Sequence, residues 1–168
     1  MHSVYHLPAV AKDAEAMGIL QHMWTTSVPE ERLLAELADI AGRYLELAHL
    51  LAFHAGLCTY PNIATGLSAL AAREAQHASA LEAMLRERRV WSKPARPMGA
   101  QGSNNWERVG GDLALLLELR REMYEQALHW ERIDPHFSER LRTIAIEDDR
   151  NVGELRELAL RCDPQALD

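Results

Sequence analysis

Apolar residues recur at intervals of three and four along most of the chain, which is the period of one face of an α-helix. The pattern predicts four long helices, at about residues 29–56, 61–88, 104–133 and 135–162. A shorter helix is predicted ahead of them, at about residues 8–24. The sequence therefore predicts an all-α protein.

Residues typical of helix N-termini mark where these helices begin. Ser27, followed three residues later by Glu30, is typical of a capping box at the start of the first long helix. Pro61 and Pro135 suit the first turn of the second and fourth helices, and Asp134 suits the N-cap of the fourth.

The lengths of the connections predict the topology. A few residues join the first helix to the second and the third to the fourth, so each pair should form an antiparallel hairpin. Residues 90–104 join the hairpins and are rich in Pro, Gly, Ser and Asn. When extended, they span roughly 45–50 Å, which exceeds the length of about 40 Å of a 27-residue helix. We predict one long crossover, with Cys58 and Cys162 at the same end and no disulfide between them.

The second and fourth helices carry matching stripes with ionisable residues at their centre. The matched positions are Ile63, Leu67, Leu70, Glu74, His77 and Leu81 against Phe137, Leu141, Ile144, Asp148, Asn151 and Leu155. The first and third helices align less closely, as Leu33, Leu37, Ile40 and Tyr44 against Leu113, Leu117, Arg120 and Tyr124. The match indicates an internal duplication. Ionisable groups on a buried stripe are costly unless they bind a metal, a counter-charge or each other.

Composition narrows the classes of function. The 168 residues are 48% hydrophobic, and the net charge is −7 with a pI near 5.6. An acidic chain without a basic run is unsuited to nucleic acid or to an anionic membrane surface. The N-terminus has neither a secretion signal nor a membrane span, so a cytoplasmic location is expected. The expected organisation is an N-terminal segment (1–28), a bundle (29–163) and a short tail (164–168).

The duplicated hairpins, the long crossover and the segment AREAQHASAL at residues 72–81 resemble the ferritin-like superfamily, most closely its rubrerythrin-like members. The resemblance covers roughly residues 30–162. It implies a four-helix bundle with two metal ions in its core, held by a Glu from each of the first and third helices and a Glu-x-x-His from each of the other two. It also implies iron-dependent redox chemistry.

The sequence departs from this pattern at several ligand positions. The first helix has no Glu on its apolar face, and Glu118, Glu122 and Glu125 of the third point away from the stripe. In the fourth helix, Asn151 stands where the family has a His. Three of the six ligands that the resemblance implies therefore remain, namely Glu74, His77 and Asp148.

Arg120 offers an explanation for the missing ligands. It stands near the centre of the third helix's stripe, at about the level of Asp148, and a guanidinium can pair with two carboxylates. We predict that it occupies the place of the metal and pairs with Glu74 or Asp148. The other members of this core polar cluster would be His77, Asn151, Tyr44 and Tyr124.

Three interpretations of the site follow. A metal-free dimeric scaffold or binding module is favoured, because two ions would be under-neutralised by two carboxylates and one imidazole. The alternative is an oxidoreductase that uses a single Fe, Mn or Zn ion for oxygen or peroxide chemistry. A complete two-metal centre is the third. No motif for nucleophilic catalysis or dinucleotide binding is present.

Surface assignments complete the sequence-based picture. His49, His54 and His129 fall outside the predicted core stripes and are assigned to the surface. Several apolar residues also fall outside these stripes, which favours a homodimer. They are Leu50, Phe53, Leu115, Leu119, Ile146 and Leu160.

Overall fold

The computed structural model describes residues 29–94 and 102–162. These two ranges contain four α-helices. They are α1 (Glu30–Leu57), α2 (Pro61–Glu87), α3 (Asn105–Trp130) and α4 (Pro135–Cys162). No strand occurs in either range, so the all-α prediction is confirmed there. The predicted N-terminal helix, the Ser27 cap and the C-terminal tail lie outside these ranges. Among the helices described, none is long and apolar enough to cross a membrane.

Local signals place the helix starts as expected. Asn104 Oδ1 accepts a hydrogen bond from the Glu107 N–H at 2.9 Å, which caps α3. Asp134 Oδ1 accepts one from the Phe137 N–H at 3.0 Å at the start of α4. These bonds satisfy backbone donors that have no partner within the first turn of a helix.

Contacts at the two ends of the bundle give the direction of each helix. Arg88, just after α2, pairs with Glu30 at the start of α1 (2.7 Å) and with Asp134 before α4. At the other end, Asn105 of α3 lies 3.7 Å from the Sγ atom of Cys58, just after α1. The connection from α2 to α3 thus joins opposite ends, and α1 runs parallel to α4. Each helix packs against two antiparallel neighbours, α1 and α4 each contacting both α2 and α3.

The first part of this connection packs along α1. The Lys93 N–H donates to the Ala38 carbonyl at 3.1 Å, and Lys93 Nζ lies 2.9 Å from Asp39. Gly42 faces the same stretch, where a Cβ would lie only 2.6 Å from the Lys93 carbonyl oxygen. The absence of a side chain at Gly42 therefore allows the close approach.

The predicted stripes of α1, α2 and α4 are buried, although the buried face of α1 is wider than predicted and also includes Leu50 and His54. The stripe positions, including Tyr44, Glu74, His77, Asp148 and Asn151, are all buried. In α3 the prediction is wrong by one residue, because the buried positions are Val109, Asp112, Leu116, Leu119, Met123, Gln126, Ala127 and Trp130. One residue rotates a helical face by about 100°. Arg120 and Tyr124 are consequently only partly buried.

The apolar surface that favours a homodimer is smaller than the sequence predicts. Leu119 is fully buried and Leu50 is 7% exposed, so both belong to the core. Leu115 is half-buried against the core. Of the six residues on which the homodimer prediction rests, Phe53, Ile146 and Leu160 are largely exposed. The homodimer stays a prediction, with fewer residues to support it.

Candidate metal centre

Glu74, His77 and Asp148 meet in the interior of the bundle. Glu74 and His77 lie one turn apart on α2, where positions i and i+3 share a face, and Asp148 approaches from α4. One ligand atom from each residue lies within 4.8 Å of the other two. Glu74 and Asp148 are fully buried, and His77 is 5% exposed.

The atoms at the centre of this group make no hydrogen bonds. His77 Nδ1 lies 3.1 Å from Asp148 Oδ1 and 3.3 Å from Glu74 Oε2, but neither contact has hydrogen-bond geometry. All three atoms are buried without a hydrogen-bond partner. Buried polar atoms are normally hydrogen-bonded. A cation bound at this point would satisfy all three atoms at once.

The distances between these atoms suit a shared ion. Oxygen and nitrogen ligands lie about 2.0–2.2 Å from Zn²⁺ or a similar ion. Neighbouring ligands of one ion are therefore about 2.8–3.1 Å apart at the right angles of octahedral coordination, and about 3.3–3.6 Å apart at tetrahedral angles. The two distances from His77 Nδ1, 3.1 and 3.3 Å, fall within these two intervals. The residues present therefore fit a single metal ion.

Each candidate ligand is also held by a second contact. Tyr44 of α1 donates its hydroxyl to Asp148 Oδ2, and Asn151 Nδ2 donates to Glu74 Oε1 at 2.8 Å. His77 Nε2 lies 2.9 Å from Glu147 Oε2. Such outer contacts fix the orientation of metal ligands and the histidine tautomer. The sequence does not predict the contact between Glu147 and His77.

Burial and mutual charge shift the protonation of this group in the metal-free protein. Burial lowers the pKa of His77, but the adjacent Asp148 and Glu74 carboxylates outweigh it and raise the pKa to about 10. Burial raises the pKa of Glu74, and the charge of Asp148 acts in the same direction. Burial also raises the pKa of Tyr44 well above its usual value, as does the charge of Asp148. Tyr44 is therefore a neutral donor.

The predicted role of Arg120 is wrong. Its guanidinium lies 2.8 Å from Asp149 Oδ1, and about a third of its side chain is exposed. Tyr124 also binds Asp149, at 2.7 Å, and contacts neither Glu74 nor Asp148 through a hydrogen bond. Both residues lie at the edge of the buried face of α3 and are partly buried. Of the predicted core polar cluster, Tyr44, His77 and Asn151 do adjoin the two carboxylates.

The glutamates of α3 do not reach the centre. Glu118 and Glu122 pair with Arg43 of α1, at 2.9 and 2.7 Å. Both bridging carboxylates that the family resemblance implies are thus absent from the group of converging atoms. This agrees with the ligand count from the sequence.

His54 is not a surface residue as predicted. It is 2% exposed and lies 2.7 Å from Asp112 of α3, which is equally buried. Both residues lie off the stripes that the sequence predicts, His54 beside the stripe of α1 and Asp112 one residue from that of α3. His49 and His129 are exposed, as predicted.

Comparison of the sequence with models of known protein families gives no match. Comparison with curated proteins gives no match either. Proposals about function therefore depend on the geometry of the described residues and on the resemblance seen in the sequence.

Proposed function

We propose that the protein is a metal-binding protein of the ferritin-like type, in which Glu74, His77 and Asp148 hold one divalent cation. The observation that carries the proposal is the convergence of three buried ligand atoms that have no hydrogen-bond partner. The helix directions and the long connection between α2 and α3 support the ferritin-like relationship.

Charge balance favours one ion over two. Two ionised carboxylates neutralise a divalent cation when the imidazole is neutral. A second ion would need further carboxylates, and in the described ranges no other Asp, Glu, His or Cys joins this group. The site thus corresponds to the reduced, mononuclear alternative and not to a complete two-metal centre.

The ligand set restricts the ion and its chemistry. Two carboxylates with one imidazole suit Fe(II), Mn(II) or Zn(II). Bound iron would supply one-electron redox chemistry towards oxygen or peroxide, which is the activity that the rubrerythrin-like resemblance implies. Tyr44 keeps Asp148 oriented, and fully buried residues such as Leu47 and Leu70 keep the interior apolar.

A metal-free scaffold is the second candidate, and one observation supports it. His77 Nδ1 lies 3.1 Å from Asp148 Oδ1 and 3.3 Å from Glu74 Oε2, so a protonated imidazole can pair with both carboxylates. This imidazolium supplies one positive charge against two buried negative charges, whereas a divalent cation supplies two. The homodimer and the cytoplasmic location, which were inferred from the sequence, accompany either candidate as predictions.

Elemental analysis of protein purified without chelator distinguishes the candidates. The metal proposal predicts about one Fe, Mn or Zn per chain, because the three side chains supply one ligand atom each to one ion. Glu74→Gln keeps the side-chain shape and the oxygen that Asn151 contacts, and it should lose the metal. Matched controls are Glu154→Gln, a surface carboxylate of α4 paired with Arg73, and Arg120→Ala. Both control variants should keep the metal.

Two results would contradict the metal proposal. One is wild-type protein without metal even after incubation with Fe(II), Mn(II) or Zn(II). The other is stoichiometric metal retained by a folded Glu74→Gln variant. Metal acquired only by Arg120→Ala would revive the idea that arginine replaces the ion, which the position of Arg120 contradicts.

A further inference from the structure

Two cysteines lie at the end of the bundle opposite to Arg88. Cys58 directly follows α1, and Cys162 is the last residue of α4. Since α1 runs parallel to α4, the topology brings both residues to the same end. Both are free thiols of intermediate exposure, and both pack against the hydrophobic core. The metal centre contains neither of them.

The packing of α4 on α2 places Cys162 beside the turn that contains Cys58. Leu158 of α4 contacts Gly66 of α2, where a Cβ would lie 3.0 Å from each δ carbon of Leu158. Cys162 lies one turn after Leu158 on the same face of α4. Because α2 and α4 are antiparallel, Cys162 lies about one turn closer to the start of α2. Cys58 precedes that start, at Pro61, by three residues.

The electrostatics of Cys162 agree with this placement. Burial raises the pKa of the Cys162 thiol, and a negative charge on Cys58 raises this pKa further. Two charges influence each other strongly only over short distances. The raised pKa also keeps Cys162 largely protonated at neutral pH, which makes it a poor nucleophile there.

The surroundings of the two cysteines permit a bond between them. The contacts of Cys58 Sγ are weak, because the Tyr60 carbonyl and Asn105 Nδ2 each lie 3.7 Å away. Both cysteines stand at helix ends, where the backbone shifts more easily towards disulfide geometry than inside a helix. Among the residues that the structure describes, no third metal ligand converges on this pair. The arrangement therefore favours oxidation of the two thiols over metal binding.

We propose that Cys58 and Cys162 form a redox-active pair, which a small disulfide such as glutathione disulfide converts into an intramolecular disulfide bond. The Cys58 thiolate attacks one sulfur of the small disulfide, forms a mixed disulfide and releases one thiolate. Cys162 then loses its proton, attacks Cys58 Sγ and releases the second thiolate. Two cysteine thiols are thereby oxidised, and the small disulfide is reduced to two thiols.

The expectation from the sequence that these cysteines form no disulfide would then apply to the reduced protein alone. The pair goes beyond the proposed metal-binding function and does not depend on it.

Incubation of the reduced full chain with glutathione disulfide and a chelator, followed by alkylation and measurement of the intact mass, tests the proposal. The wild type should lose both thiols without retaining glutathione, and it should remain a single chain on a non-reducing gel. The bond would close a loop of about 100 residues, which constrains the unfolded chain. The oxidised protein should therefore unfold in urea at a midpoint about 1–2 M higher than the reduced protein.

Single substitutions separate the two steps. Cys162→Ser should stop at the mixed disulfide between Cys58 and glutathione, because no second thiol releases the glutathione. Cys58→Ser should form its mixed disulfide more slowly, since the raised pKa of Cys162 leaves little thiolate. Neither variant should gain stability in urea after oxidation.

Four results would overturn the proposal. Wild-type protein that keeps two free thiols or carries two glutathione adducts would mean that the cysteines do not pair. Chains linked to each other would make the bond intermolecular. A urea midpoint that does not rise on oxidation would mean that the native bundle does not accommodate the bond. Faster mixed-disulfide formation in Cys58→Ser than in Cys162→Ser would contradict the order of attack.

Discussion

At the scale of single residues, the metal centre is defined by which atom of each side chain is left unpaired. Asn151 occupies one oxygen of Glu74, Tyr44 occupies one oxygen of Asp148, and Glu147 contacts Nε2 of His77. The other oxygen of each carboxylate and Nδ1 of His77 remain and converge. The outer contacts therefore select the ligand atoms.

Metal affinity should depend on pH through His77. A cation and a proton compete for Nδ1, and the pKa of His77 is raised to about 10 in the metal-free protein. Below a pH of about 10, metal binding must displace this proton, so the metal affinity rises with pH. Above that pH the proton is already lost, and the affinity no longer depends on pH through His77. We expect the apparent affinity for Mn²⁺ to increase about tenfold per unit between about pH 6 and 9. Calorimetry in two buffers of different ionisation enthalpy measures the proton released.

His77→Gln provides the control, because it removes the titrating group and should weaken binding strongly and flatten the pH dependence. An affinity of the wild type that stays constant over this range would exclude Nδ1 of His77 as a ligand.

The sequence predicts the burial of residues that lie on a regular apolar stripe, but not the contacts of residues outside the stripes. Glu74, His77, Asp148 and Asn151 stand at regular intervals among large apolar residues, and periodicity alone places them inside. Glu147 has a side chain that is 60% exposed. Its contact with His77 depends on the distance between α2 and α4, which no local pattern in the sequence encodes.

At the scale of helices, α3 shows how an apolar sequence becomes ambiguous. Leucines occupy positions 113, 115, 116, 117 and 119, so more than one face is apolar. Aligning Tyr124 with Tyr44 selected the wrong face. The observed register buries Asp112 and partly exposes Arg120, which overturns the predicted arginine and reveals the pair with His54. The match between α1 and α3 loses support, whereas the match between α2 and α4 retains it.

The packing of the connection on α1 leads to a stability prediction. Gly42→Ala would place a Cβ 2.6 Å from the Lys93 carbonyl oxygen, and the backbone there would have to move. We expect the free energy of unfolding to fall by about 1–3 kcal/mol, as for other overpacked sites. Denaturation with urea measures it.

Gly153→Ala is the matched control, because Gly153 is an exposed glycine of α4 whose Cβ would meet no atom within 4 Å. Alanine favours helix there and should raise stability by about 0.5–1 kcal/mol. Equal stabilisation by both substitutions would mean that the connection does not pack closely on Gly42.

At the scale of the whole molecule, connection lengths and helix caps in the sequence predict the topology, but the sequence does not predict the oligomeric state. Short connections specify hairpins, and a connection longer than the helices permits opposite ends to be joined. Oligomeric state depends on which apolar residues stay exposed, and a rotation of one helix by one residue changes that set. Leu119 lies in the core for this reason.

The central claim is that the bundle interior holds one divalent cation. Titration of chelator-treated protein with Co²⁺, followed by the visible absorption of the bound ion, measures the stoichiometry directly. The account predicts saturation at about one equivalent per chain, with the signal absent in Glu74→Gln. Saturation at two equivalents, or no spectral change in the wild type, would contradict it.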